Sequence, residues 1–183
     1  MEIARAWAMP SGNTFSIPPI RAIVERVTFG KETIVDPFAN TSQYGTIRND
    51  LNPDMPTQYH MDALEFLRGL GEGVADVVLY DPPYSLRQAS EIYAAYGKGR
   101  LAHGVTNAGY WASVKDEVAR VTRSQGCVVS FGWNSNGMGM GRGFELDEVL
   151  LVAHGGAHND TIVTVESKAV TLFDFVERNT HER

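Results

Sequence analysis

The apolar run Val77-Val78-Leu79-Tyr80 stops abruptly at Asp81-Pro82-Pro83-Tyr84, and this junction constrains the fold more than any other stretch. A short apolar run introduced by Ala75-Asp76 and closed by turn residues reads as a buried strand. The two prolines end it, because neither donates a backbone hydrogen bond and both fix φ. The chain therefore makes a stiff corner at the carboxyl end of a strand. In open α/β sheets, ligands bind at that end.

Each residue of the corner suits the holding of a flat exocyclic amine. An ionised Asp81 only accepts hydrogen bonds. The Pro82 carbonyl is a second acceptor beside it, and two acceptors match the two hydrogens of an –NH2 group. Pro83 stiffens the turn. Tyr84 offers a ring for a planar base, a contact worth about 1–3 kcal/mol per base in single-strand binders. Taken alone, such a corner also reads as a strand-to-helix turn whose acid caps the next helix.

The pattern around the corner alternates. Pro18-Pro19 open a helix carrying Ile20, Ile23, Val24 and Val27 on one face. Thr33-Ile34-Val35 and the weaker Thr46 to Asn49 read as strands. Met61 to Leu70, Ser85 to Tyr96 and Tyr110 to Val121 read as helices. Cys127 to Phe131 is a further strand, and Glu148–Val152 with Thr161–Val165 form a terminal hairpin. The fold class is α/β, with a mostly parallel sheet and one antiparallel strand. Residues 1–17 read as an irregular arm. One domain is expected over residues 1–167, with a tail over 168–183.

Composition narrows the function. At 183 residues, 43% apolar and 21% charged, the chain suits one globular domain. No apolar run reaches the roughly 20 residues of a bilayer span. The N-terminal residues lack a signal-peptide pattern. A single cysteine, Cys127, allows no internal disulfide and no Cys-rich zinc site, so no metal is expected and the setting reads as cytoplasmic. A net charge of −6 disfavours a strong non-specific grip on phosphates. The locally basic stretch with Arg87, Lys98, Arg100 and His103 is the candidate phosphate contact; the alternative is a solvated loop.

Taken in order, these motifs resemble the S-adenosylmethionine-dependent amino-methyltransferases of DNA, over roughly residues 9–166. Asp81-Pro82-Pro83-Tyr84 matches their catalytic motif without substitution. Asn13, Thr14, Phe15, Ser16 and Ile17 are similar to the methionine-binding segment. Asp36-Pro37-Phe38-Ala39-Asn40 resembles the glycine-containing loop that wraps the cofactor, its glycines standing here as Asn40 and Ser42. Asp50, followed by Leu51, takes the place of the acid that binds the ribose hydroxyls. Asp62-Ala63 resembles the segment beside the cofactor adenine.

The resemblance implies a Rossmann-like methyltransferase with S-adenosyl-L-methionine as cofactor. Asp at the first corner position implies transfer to adenine N6 in DNA, with the base flipped out of its stack. RNA adenine, DNA cytosine N4, a protein glutamine amide and a binding-only relative stay open. No separate target-recognition domain fits in this length, so specificity is expected to be short unless a second subunit, as in a homodimer, adds reach. After the corner, only the loop around 85–105 and the stretch Asn136 to Gly141 are expected to be free to meet a substrate. Leu172-Phe173 is similar to short tails that dock into sliding clamps; packing on its own domain is the alternative.

Overall fold

A computed structural model describes residues 1–96, 107–156 and 158–170. Its single sheet contains seven strands: β1 (Glu2–Trp7), β2 (Ile34–Asp36), β3 (Ile47–Arg48), β4 (Ala75–Tyr80), β5 (Thr122–Gly132), β6 (Phe144–Ala153) and β7 (Thr161–Lys168). Their spatial order is β1-β6-β7-β5-β4-β2-β3. Only β7 runs antiparallel to its neighbours. Among the described residues, four α-helices accompany the sheet: α1 (Pro18–Thr28), α2 (Ala63–Arg68), α3 (Leu86–Tyr96) and α4 (Ala108–Val121). No helix among the described residues is long and apolar enough to cross a membrane.

Strand β4 sits near the middle and is covered on both faces. Val77 and Leu79 join the core formed with α1, around Ile20, Ile23 and Val24. Val78 and Tyr80 join the opposite core, with Phe66 and Leu67 of α2 and Val114, Val118 and Val121 of α4. Double burial explains the continuous apolar run, as expected for a parallel strand with helices on both sides. Fully burying one such side chain is worth about 1.5–3 kcal/mol.

One expectation is overturned. Residues 2–7 are not an irregular arm but edge strand β1, parallel to β6 from Glu2↔Glu148 to Trp7↔Ala153. The usual signal is inverted there. Ala4 and Ala6 face the core, while Ile3, Arg5 and Trp7 face outward. Small residues inward and large ones outward hide the two-residue period. The closing strand also extends further than expected, to Lys168, whose ammonium donates to the Ala119 and Thr122 carbonyls.

At the start of β2, Asp76 accepts from the Glu32 and Thr33 amides at 3.0 and 2.8 Å and pairs with Arg123. These bonds, the Thr33 amide foremost, hold its carboxyl below the usual range. At the other end the backbones approach closely. A Cβ on Gly45 would lie 2.8 Å from Asp36 Cβ and 2.8 Å from Arg48 Cγ. Gly45→Ala is therefore expected to cost about 1–3 kcal/mol, measured by denaturant unfolding; an unchanged midpoint would show that β2 and β3 separate freely.

Candidate active site

Strands β3, β2 and β4 are adjacent and parallel, so their carboxyl ends share one edge. Each end delivers an acid: Asp50 just beyond β3, Asp36 closing β2 and Asp81 just beyond β4. A cavity of about 490 Å³ opens along this edge. Of the expected residues it is lined by Asn13, Thr14, Phe15, Pro37, Phe38, Ala39, Asn40, Asp50, Leu51, Ala63, Asp81, Pro82, Pro83 and Tyr84. Helix α3 adds Gln88, Glu91, Ile92, Tyr93 and Tyr96 to the wall. Its volume lies in the range of small-molecule and cofactor sites.

The turn after β2 is set by Asn40, whose φ of 47° is left-handed. Asn is among the few non-glycine residues that visit this region routinely. The turn aims the Asn40 amide at Asp50 Oδ2, 2.8 Å away. Asp50 Oδ1 accepts from the Asn52 amide at 2.8 Å. A carboxylate has about four lone-pair sites, so two acceptor positions remain. Asn49, not foreseen from sequence, clips the wall together. Its amide nitrogen donates to the Pro37 and Met61 carbonyls, both at 3.0 Å, and its oxygen accepts from the Met61 amide. A buried Asn just past a short strand carries no sequence signal that separates a clip from a turn.

At the corner, the Tyr84 hydroxyl donates to Asp81 Oδ1 at 2.8 Å, and the Thr14 hydroxyl lies 3.4 Å from the Tyr84 oxygen. The Tyr84 amide donates to Gln88 Oε1 at 3.0 Å. Among the described residues, no hydrogen bond reaches the Pro82 carbonyl. Burial pushes the Asp81 carboxyl up to about 6, against the opposing pull of the Tyr84 and Thr14 hydroxyls. Burial, reinforced by the Asp81 charge, pushes the Tyr84 hydroxyl well above its ordinary range and keeps it a donor.

Several expected residues lie elsewhere. Asp36 is fully buried behind the cavity, with Oδ1 accepting from the Phe38 amide at 3.3 Å. Burial, then the nearby Asp81 charge, raises its carboxyl to about 8. Asp62 caps α2 through the Leu64 and Glu65 amides, and its other oxygen accepts from the Tyr93 and Tyr110 hydroxyls at 2.8 and 2.6 Å. Four donors occupy it, and it does not line the cavity. Ile17 belongs to the core, and Ser16 bonds within its own turn to Ser11 and the Asn13 carbonyl. Arg87 pairs with Glu91 on the exposed side of α3.

The stretch Asn136 to Gly141 is not free to meet a substrate along its length. Buried Glu166 accepts from the Met138 and Gly139 amides, and Met138 sits in the α4 core. Cys127 lies in β5, where burial pushes its thiol up to about 12, a poor nucleophile. Lys98, Arg100, His103, Leu172 and Phe173 lie outside the described residues.

No family model matches the chain, and no curated protein matches its sequence. Solved structures do. 1,6-Didemethyltoxoflavin-N1-methyltransferase from Burkholderia thailandensis, with S-adenosylhomocysteine bound, gives a TM-score of 0.57 at 12% identity over 83% of this chain and 77% of that one. The N-methyltransferase NodS from Bradyrhizobium japonicum WM9 gives 0.55 at 8% identity over 88% and 100%. TrmN from Thermus thermophilus gives 0.51 at 16% identity over 83% of this chain and 49% of that one. The fold is that of a Rossmann-like methyltransferase.

The Asp36 carboxyl holds its proton to about 8 in the fold, against a reference value of 3.8. Between those values the native state binds the extra proton, so this group's contribution to stability declines as pH rises through that window and levels off above it. Asp36→Asn should gain stability relative to the parent chain across the same window, by denaturant unfolding at stepped pH. A pH-independent difference would mean that Asp36 is ionised in the native state.

Proposed function

We propose that this protein transfers a methyl group from S-adenosyl-L-methionine to the exocyclic N6 amine of adenine in DNA. The observation that carries the cofactor reading is the charge of the main cavity. Asp50, Asp81 and Glu91 line it, and among the described residues no lysine or arginine does. Such a wall suits a ligand carrying positive charge and opposes the phosphates of a dinucleotide. Asp50 has acceptor positions left for two ribose hydroxyls. Leu51, Met61, Ala63 and Phe38 offer apolar surface for a purine. When bound, the cofactor supplies an electrophilic methyl group on a cationic sulfur.

The chain's own residues then orient the acceptor. Asp81 and the Pro82 carbonyl accept the two amine hydrogens and hold the nitrogen lone pair towards the cavity. Asp50 and the turn from Pro37 to Asn40 would hold the cofactor, which would supply its methyl carbon to that lone pair in exchange for the bond to sulfur. The Asp81 carboxylate stabilises the positive charge on nitrogen and passes the departing proton towards solvent. Positioning and fixed charge do the work, with no covalent intermediate on the protein. The Tyr84 hydroxyl bond fixes the Asp81 rotamer, so the acceptor is held before substrate arrives.

The adenine and DNA assignments rest on the Asp-Pro-Pro-Tyr corner and its resemblance. Incubation with methyl-labelled cofactor and DNA, RNA or protein in separate reactions tests them; label is expected in DNA adenine, and label confined to RNA or protein would overturn the acceptor. Asp81→Ala is expected to lower turnover by about 100-fold or more while the affinity for S-adenosylhomocysteine stays within about twofold. Activity also depends on the ionised carboxylate, whose value lies at about 6. Protonation converts an acceptor into a donor, so kcat/KM should fall as pH drops through about 6. A flat profile from pH 5 to 8 would remove Asp81 from the reaction.

A further inference from the structure

A second cavity, of about 290 Å³, lies on the other side of Tyr84. It shares Ser11, Thr14, Tyr84 and Gln88 with the main cavity, so the two meet at the catalytic corner. Its outer wall comes from three strand ends that the topology brings to one edge. Trp133 follows β5, the turn with His158 and Asn159 joins β6 to β7, and Pro10 follows β1.

This wall is anchored. Buried His154 bonds the Ala8 carbonyl through Nδ1 and the Thr161 hydroxyl through Nε2, both at 2.8 Å. The Ala8 amide donates to the Ala153 carbonyl at 3.1 Å. The ends of β1 and β6 and the start of β7 are thus tied together beneath the cavity. Against this framework Trp133 stays 41% exposed. Its ring centroid lies 6.0 Å from that of Tyr84, with the planes at 73°. Trp133 thus presents open aromatic surface beside the corner, on which a planar ring can stack.

We infer that this second cavity receives the acceptor base and that Trp133 is its positioning residue. The inference rests on the methyl-transfer reading and deepens it by naming the acceptor's subsite. Two rings at a steep angle cannot sandwich one base between parallel faces. A base stacked on one ring instead abuts the edge of the other, which fixes its rotation as well as its depth. Rotation matters here, because the amine must reach Asp81 and Pro82. Gln88 spends its oxygen on the Tyr84 amide, and its –NH2 supplies donors of the kind a ring nitrogen accepts. No described lysine or arginine lines this cavity either. The grip that the described residues offer is aromatic surface at the base, and an unpaired base meets it without the cost of opening a duplex.

The test compares the parent chain, Trp133→Ala, Trp133→Phe and Asp81→Ala on a single-stranded oligonucleotide and its matched duplex. S-Adenosylhomocysteine affinity is measured alongside. Trp133→Ala should raise the acceptor KM by about tenfold or more, with cofactor affinity within about twofold and the unfolding midpoint unchanged. Trp133→Phe should recover most of the loss, and the single strand should be the better substrate. An unchanged KM for Trp133→Ala, with Asp81→Ala inactive, would overturn this subsite and leave the methyl-transfer reading intact. Absence of transfer by the parent chain to any nucleic acid would overturn both.

Discussion

The site depends on one constraint, that a parallel strand buried on both faces must stop where two prolines follow it. Val77 to Tyr80 are held between two cores, so β4 cannot slide or rotate. Pro82 and Pro83 then remove two donors and lock φ, so the ladder ends at a fixed residue. Asp81 is the residue left at the edge. Because β2 and β3 run parallel beside it, Asp36 and Asp50 arrive at the same edge without any long loop having to find it. A rigid scaffold that carries short, specific ends is the usual way such folds place chemistry.

Gathering three acids has an electrostatic consequence. Burial disfavours the charged form of each acid, and for Asp36 the nearby Asp81 charge adds to it. The effect divides unevenly between Asp36 and Asp81. Asp36, fully buried, takes the larger upward shift, to about 8, and Asp81 the smaller, to about 6. At neutral pH the wall therefore keeps a proton at the back and an acceptor at the front. Hydroxyls from Tyr84 and Thr14 pull the front group down, which keeps it usable. The same negative wall attracts a cation, and a cationic cofactor would favour the ionised form of Asp81.

Much of this was legible in the sequence, for physical reasons. The alternation of buried strands and amphipathic helices, the single antiparallel strand and the corner all leave strong local signals. Asn40 preserves the loop's turn because few residues other than glycine accept left-handed geometry, and its φ is 47°. Other features left none. Strand β1 hides because alanines face inward and Trp7 faces out. Asp62 has the spacing of a cofactor acid, but two tyrosines far away in sequence claim its carboxylate. Glu166 could not be foreseen as the anchor of a glycine-methionine loop 28 residues before it. Trp133, likewise, gains meaning only when three strand ends converge. Short-range pattern finds elements and corners; it does not find which distant side chain satisfies which group.

The central claim is that one continuous cavity runs from a ribose-binding acid, Asp50, to an amine-binding acid, Asp81. A crystal structure with S-adenosylhomocysteine tests it most directly. The account predicts the ribose hydroxyls against Asp50 and the thioether sulfur facing Asp81 and Pro82. A ligand bound away from either acid, or a crystal in which this cavity stays empty at saturating ligand, would contradict it.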